Sequence, residues 1–259
     1  MRRLPGIALA SLLLAATATS FAEPLQIYYF PRPPLYEKNA DGSAGGFITE
    51  IARLILDEAK LSYRFVELPS MRVEQAIVNG DYAAGLGWFK TGEREKWANF
   101  SAPIYRDLPL VAIVNKAKAA AVGSRTTIDR LLGSGLTLGT IRGFSYGSFA
   151  DKAIERNKPR KETIAGEQSA LIKMVSRGRA DLLLLGLEEA SYLMANDVDS
   201  AASLEIVRIT DAPAGNLRYF MFSKTVEKSV IERIDAAIAR VMEGPAYQRL
   251  VDFSRYLRD

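Results

Sequence analysis

Short apolar runs and amphipathic stretches alternate along the chain, and their periods predict the elements. Leu25 to Phe30 reads as a strand. Ile48, Ile51, Ala52, Ile55 and Ala59 recur at helical spacing and predict a helix over 47–60. A strand at 63–68, a helix at 72–78 and strands at 83–88 and 110–115 follow. From Lys116 to Ser124 the sequence turns to Lys, Ala and Gly, the composition of a surface connection, and then the alternation restarts. Thr127 is placed to cap a helix ending at Leu132. Residues 136–141 read as a strand, 145–156 and 167–177 as helices, and 181–185 and 204–209 as strands. The last segment holds a strand at 218–222 and a helix over 226–242 with Val230, Ile234, Ala237, Ile238 and Val241 on its apolar stripe. Gly244-Pro245 breaks it, and a closing helix is expected to about Tyr256. Such β-α alternation, interrupted once, implies an α/β protein with two separate cores.

The N-terminus changes the picture of where the protein works. Arg2 and Arg3 precede an apolar stretch from Ile7 to Ala16 that ends in Ser20-Phe21-Ala22, the pattern of a signal peptide cleaved before Glu23. About 10 apolar residues are too few for a membrane span, which needs roughly 20. The expectation is therefore a leader over 1–22 and export to the periplasm.

Composition narrows the chemistry. The chain has no Cys and no His, which excludes a thiol nucleophile, a Ser-His-Asp triad, His or Cys metal sites and disulfides. The net charge is +4, and the leader holds two of the basic residues, too mild a balance to argue for nucleic acid. No cofactor is expected, and a monomer is.

Four segments carry a family resemblance. They are Pro34 with Asn39-Ala40-Asp41-Gly42 and Gly46-Phe47-Ile48-Thr49-Glu50-Ile51; Thr91-Gly92-Glu93-Arg94 followed by Asn99-Phe100-Ser101-Ala102-Pro103-Ile104-Tyr105; Gly139-Thr140-Ile141-Arg142-Gly143-Phe144-Ser145-Tyr146-Gly147; and Gly178-Arg179-Ala180-Asp181. In this order the chain resembles the bacterial extracellular solute-binding proteins of family 3, which include polar amino-acid receptors. The resemblance implies a type II periplasmic binding protein fold, two lobes joined by two crossovers around a ligand cleft. It places the first lobe at 23–110 and 214–259 and the second at 111–213. It implies a non-catalytic receptor for a small carboxylate-bearing ligand, working with an ABC permease or a sensor.

Arg94 is the expected carboxylate grip, because a guanidinium presents paired N–H donors and stays charged at any relevant pH. The blander alternative is a surface arginine paired with Glu93 or Glu95. The resemblance puts the backbone N–H and hydroxyl of Ser145 on the same carboxylate, at the start of a helix whose free N–H groups favour an anion. Gly87, Gly143 and Phe144 flank these two segments. Tyr29 and Arg32 lie on the first strand-to-helix connection, where the family often places an aromatic residue over the ligand. Trp88 and Phe89 can stack on a ligand or pack in the core, and Arg72 and Arg142 can add positive charge.

The ammonium half of an amino-acid site departs from the family. Phe89 stands where a Ser or Thr hydroxyl is usual, and Gly186 stands where an Asp is usual. Glu188 or Glu189 can supply the missing anion, or simply favour a helix N-terminus. Two other readings stay open: a dehydratase-like enzyme on the same scaffold with Glu188 or Glu189 as general acid, and a sensory binding protein without its own transporter.

Overall fold

The pattern of buried positions in 47–58 shows how the sequence builds the first lobe. Ile48, Ile51, Ala52, Ile55 and Leu56 are all fully buried on one helical face. Gly46 opens this helix at φ +92°, where a Cβ would sit 2.4 Å from the Leu35 carbonyl oxygen, so only glycine lets the chain turn there. Truncating a residue such as Ile55 to Ala would cost about 2–5 kcal/mol.

The structure is a computed structural model and describes residues 23–253. The expected leader and the end of the expected closing helix lie outside these residues. In chain order, the first stretch contains β1 (Leu25–Tyr29), β2 (Glu37–Lys38), β3 (Ala44–Gly45), α1 (Phe47–Glu58), β4 (Tyr63–Glu67), α2 (Ser70–Asn79), β5 (Ala83–Trp88), the single turn α3 (Gly92–Glu95), β6 (Ala98–Phe100) and β7 (Tyr105–Arg106). The middle contains β8 (Leu110–Asn115), α4 (Lys116–Ala119), β9 (Arg125–Thr126), α5 (Ile128–Leu132), β10 (Leu138–Ile141), α6 (Ser148–Asn157), β11 (Lys161–Ile164), α7 (Gln168–Ser176), β12 (Leu182–Gly186), α8 (Leu187–Asn196), α9 (Val198–Ala201) and β13 (Leu204–Ile209). The return segment contains β14 (Leu217–Ser223), α10 (Lys228–Met242) and α11 (Pro245–Leu250).

These strands form two six-stranded sheets, and β2 and β3 pair with each other as a separate antiparallel ribbon. The first has the order β4-β1-β5-β14-β6, with β7 also pairing β14; the second has the order β11-β10-β12-β8-β13-β9. The chain therefore passes between sheets twice, from β7 to β8 and from β13 back to β14. Each sheet has apolar clusters on both faces. On the first, α1, α10 and α11 cover one face and α2 the other. Among the described residues no helix is long and apolar enough to cross a membrane.

Several boundaries differ from the sequence reading. The core side of α10 is carried by Ile231, Ile234, Ala237 and Ile238, while Val230 and Val241 are only partly buried at its edge. Residues 116–124 are not a plain connection: α4 forms there, capped by the Asn115 side chain, and Ala119 and Val122 are buried. The helix expected from Ser145 begins at Ser148, because Gly147 at φ +87° is its N-cap. The last helix ends at Leu250, after which Phe253 packs edge-on against Phe47, ring centres 4.9 Å apart. β11 was not expected, since its side chains are mostly exposed and carry no apolar pattern.

Candidate functional site

β5 and its exit build one wall of the cleft. Its last residue, Trp88, is followed by Phe89 and by Thr91, whose hydroxyl caps α3 by accepting from the Arg94 amide at 3.3 Å. This short turn holds Arg94 in place, with only 7 % of the residue exposed. Arg94 Nε and Nη2 lie 3.0 and 2.9 Å from Glu74 Oε1, and Nη1 donates to the Phe89 carbonyl at 3.1 Å. The guanidinium carbon sits 4.6 Å from the Trp88 ring centre. Neither Glu93 nor Glu95 is its partner; these pair with Lys96 and Lys90.

Arg32 lies just past the end of β1. Its backbone exchanges hydrogen bonds with Tyr36, at 2.8 and 3.1 Å, which fixes its direction. Its side chain crosses the cleft and donates from Nε and Nη2 to the two carboxylate oxygens of Glu189 in α8, at 2.6 and 2.9 Å. Phe30 beside it meets Phe144 of the other lobe with ring centres 5.5 Å apart, and the Arg32 guanidinium also lies 5.5 Å from the Phe144 ring.

Arg218 was missed in the sequence. It is buried at the start of β14, donating from Nε to Asp107 at 2.5 Å and from Nη1 to the Gly87 carbonyl at 3.1 Å and to the Tyr36 hydroxyl at 3.3 Å. Its guanidinium lies 4.8 Å from the Phe89 ring centre. Its buried Nη2 has no hydrogen-bond partner and stands 3.9 Å from Glu189 Oε2. Burial works against the charge, but Asp107, Tyr36 and Glu189 outweigh it and hold the guanidinium above its ordinary pKa. A lone arginine in the otherwise apolar strand Tyr219-Phe220-Met221-Phe222 was the available signal, since an arginine is seldom fully buried unless paired.

These residues enclose a recess of about 30 Å³ lined by Phe30, Arg32, Gly87, Trp88, Phe89, Arg94, Gly143, Phe144, Ser145 and Arg218. Next to it, nearer the crossovers, Gly186 and Glu189 share a space of about 20 Å³ with Ser145 and Arg218. On the other side of Phe30, Arg32 and Phe144 opens a chamber of about 410 Å³, with Leu68, Met71, Ile141, Arg142 and Gln168 on its walls.

Of the residues singled out in the sequence, Arg94, Ser145, Phe89, Trp88, Arg32, Gly87, Gly143 and Phe144 thus meet in one recess, Gly186 adjoins it, and Arg142 faces the chamber. Tyr29 lines none of these spaces: it packs in the first core, edge-on to Phe65, and Phe30 takes the cleft position. Arg72 is exposed and hydrogen-bonded to Gln75. The Ser145 hydroxyl donates to Asp151 at 2.5 Å and accepts from the Gly147 amide at 3.1 Å, so it is engaged in holding its own loop.

Glu188 turns away from the recess. Its carboxyl accepts from the Leu108 amide at 3.1 Å and from the Tyr105 hydroxyl at 3.3 Å, against the first crossover. Burial, with Asp107 and Glu189 nearby, pushes its pKa up to about 8. A Cβ on Gly186 would lie 2.7 Å from Glu188 Oε2, so the Glu188 carboxyl fills the space that an Asp side chain at 186 would need. Among the described residues no group of three or more Asp or Glu is arranged to hold a metal ion.

A search of curated proteins gives no significant sequence match. Solved structures do match. The arginine-, lysine-, histidine-binding protein ArtJ from Geobacillus stearothermophilus superposes with a TM-score of 0.73 at 16 % identity, covering 91 % of this chain and 95 % of its own. The amino acid ABC transporter substrate-binding protein AbpA from Streptococcus pneumoniae, bound to L-arginine, gives 0.72 at 19 % identity, covering 91 % and 97 %. An ancestral amino acid-binding protein described as a precursor of cyclohexadienyl dehydratase gives 0.70 at 17 % identity, covering 91 % and 96 %. At these identities the likeness establishes the two-lobed periplasmic binding protein fold. The model of the bacterial extracellular solute-binding proteins, family 3, matches residues 27–258, nearly the whole chain, and the protein belongs to that family.

Proposed function

We propose that the protein is a non-catalytic, monomeric periplasmic receptor that captures a small carboxylate-bearing ligand, an amino acid or related organic acid, and delivers it to an ABC-type transporter. In this reading residues 1–22 are a cleaved leader. The first lobe comprises 23–110 and 214–259, the second 111–213, and the ligand binds where they meet.

The observation that supports it is the setting of Arg94. Glu74 and the Phe89 carbonyl hold its guanidinium, Trp88 lies against it, and Arg94 lines a recess together with the Gly143–Ser145 loop of the other lobe, with N–H groups left over. A preorganised fork of this kind suits a carboxylate. Arg218 adds a second buried cation to the same recess. Micromolar capture needs about 8 kcal/mol after the costs of closing.

An enzymatic dehydratase on this scaffold would need a general acid in contact with substrate. Glu188, whose carboxyl has a raised pKa, is occupied by Leu108 and Tyr105, and Glu189 is occupied by Arg32, which favours the receptor. A sensory role without a transporter uses the same site. The test is thermal unfolding against amino acids, keto acids, dicarboxylates and aromatic acids, repeated with Arg94→Ala. A stabilisation of several degrees by one acid, lost in the variant, supports the reading; no response to any acid sinks the carboxylate assignment.

A further inference from the structure

The carboxylates around the recess are already engaged. Glu189 gives both oxygens to Arg32, Glu74 holds Arg94, and Asp107 holds Arg218. The two positions at which the sequence departs from an ammonium site are filled in a consistent way. Phe89 places its ring under the Arg218 guanidinium, and Gly186 leaves room for the Glu188 carboxyl. An ammonium brought into this recess would add a cation beside three guanidinium groups and would have to take Glu189 away from Arg32.

Donors, in contrast, are in surplus. Arg94 keeps N–H groups beyond those given to Glu74 and Phe89, and Arg218 Nη2 is buried without a hydrogen-bond partner, 3.9 Å from Glu189 Oε2. The recess of about 30 Å³ has room for a group the size of a carboxylate. The chamber of about 410 Å³ that adjoins it has Phe30, Leu68, Met71, Ile141 and Phe144 as an apolar side, with Glu67, Arg142, Glu167 and Gln168 elsewhere on its lining, and is within the size range of small-molecule pockets.

Resting on the receptor reading and narrowing it, we infer that the ligand is a carboxylic acid without an amino group, its carboxylate in the arginine recess and an apolar, ring-sized body in the chamber. The Arg32–Glu189 pair then acts as a specificity element: it satisfies the carboxylate that adjoins the arginine recess, where the amino group next to a bound carboxylate would have to be received.

Calorimetric titration of the purified protein with matched pairs tests this: 3-phenylpropanoate against L-phenylalanine, and 4-methylpentanoate against L-leucine, with L-arginine and malonate alone. The acid of each pair is expected to bind at least tenfold more tightly than its amino counterpart. Met71→Trp, at a chamber position that is 54 % exposed and so tolerant of substitution, is expected to weaken 3-phenylpropanoate at least tenfold. An amino acid binding as tightly as its acid, binding confined to malonate, or no effect of Met71→Trp on 3-phenylpropanoate overturns the inference. If that binding is lost in Arg94→Ala, the receptor reading survives the inference. No binding of any of these compounds, or binding that Arg94→Ala leaves intact, defeats both.

Discussion

Arg32 and Glu189 are 157 positions apart in the chain and join the two lobes through two parallel hydrogen bonds of 2.6 and 2.9 Å. Both side chains are largely shielded from water, 12 % and 1 % exposed. The pair exists only while the lobes are together, so its energy bears on the open–closed balance more than on folding.

Glu189→Gln is therefore expected to shift that balance toward the open form, by about 2–5 kcal/mol if the pair behaves like other buried interfacial ones. Small-angle scattering should show a larger radius of gyration than the parent protein has. An unchanged radius would mean that packing such as Phe30 on Phe144 holds the lobes without the ion pair.

Glu188 gives the protein a pH dependence of definite sign. Its folded pKa, near 8, lies above its ordinary value of 4.5, so between these values the folded state binds more protons than the unfolded one. This contribution is complete below about pH 4.5 and is lost as the pH rises through 8. Glu188→Gln keeps an acceptor for the Leu108 amide and removes the titration. Its melting temperature is expected to lie close to the parent's at pH 4.5 and clearly above it at pH 8, where the parent has given up several kcal/mol, at about 1.4 kcal/mol per unit between 4.5 and 8. Equal melting temperatures at pH 8 would show that Glu188 is ionised in the folded protein at little cost.

Arg94→Lys tests whether paired donors or charge alone hold the ligand. A lysine keeps the charge but cannot bond Glu74, the Phe89 carbonyl and a carboxylate in one plane. A loss of at least tenfold in affinity is expected, with a stability change within about 1 kcal/mol because Glu74 is part-exposed. Unchanged affinity would reduce Arg94 to a point charge.

Gly215 tests the second crossover. Its φ is +104°, and a Cβ there would lie 1.8 Å from the Asp107 carbonyl oxygen. Gly135, at φ +81° with nothing within 4 Å, is the control for conformational strain alone. Gly135→Ala should cost about 1–2 kcal/mol, and Gly215→Ala clearly more. Equal losses in melting temperature would mean that the crossover has slack.

The elements with a strong period were legible in the sequence. α1, β5, β8, β13 and β14 lie within a residue or two of their expected bounds because a single buried face or a buried strand fixes their apolar pattern. The edge strand β11 was not, since Lys161-Glu162-Thr163 shows the solvent what a loop would. In the site, the residues near Arg94 and Ser145 were legible as motifs. Arg218 showed itself only as a lone arginine in an apolar strand, and Asp107 and Glu74 not at all, because each matters through a partner distant in the chain and spacing carries no record of such contacts. Tyr29 and Phe30 show the limit of local reading: the last residue of β1 and the one that follows it point to opposite sides, and a one-residue error exchanges core for cleft.

The two passages between the lobes are not independent tethers. Tyr105 and Arg106 of the outgoing chain pair with Arg218 and Leu217 of the returning one, and the Asp107–Arg218 ion pair ties them again. Zipped side by side, the two crossings form one hydrogen-bonded ribbon and constrain the lobes together, where two separate threads would constrain them one at a time. In the receptor reading, the register in which the two walls of the cleft meet then depends on the base of that ribbon as much as on the residues at its mouth.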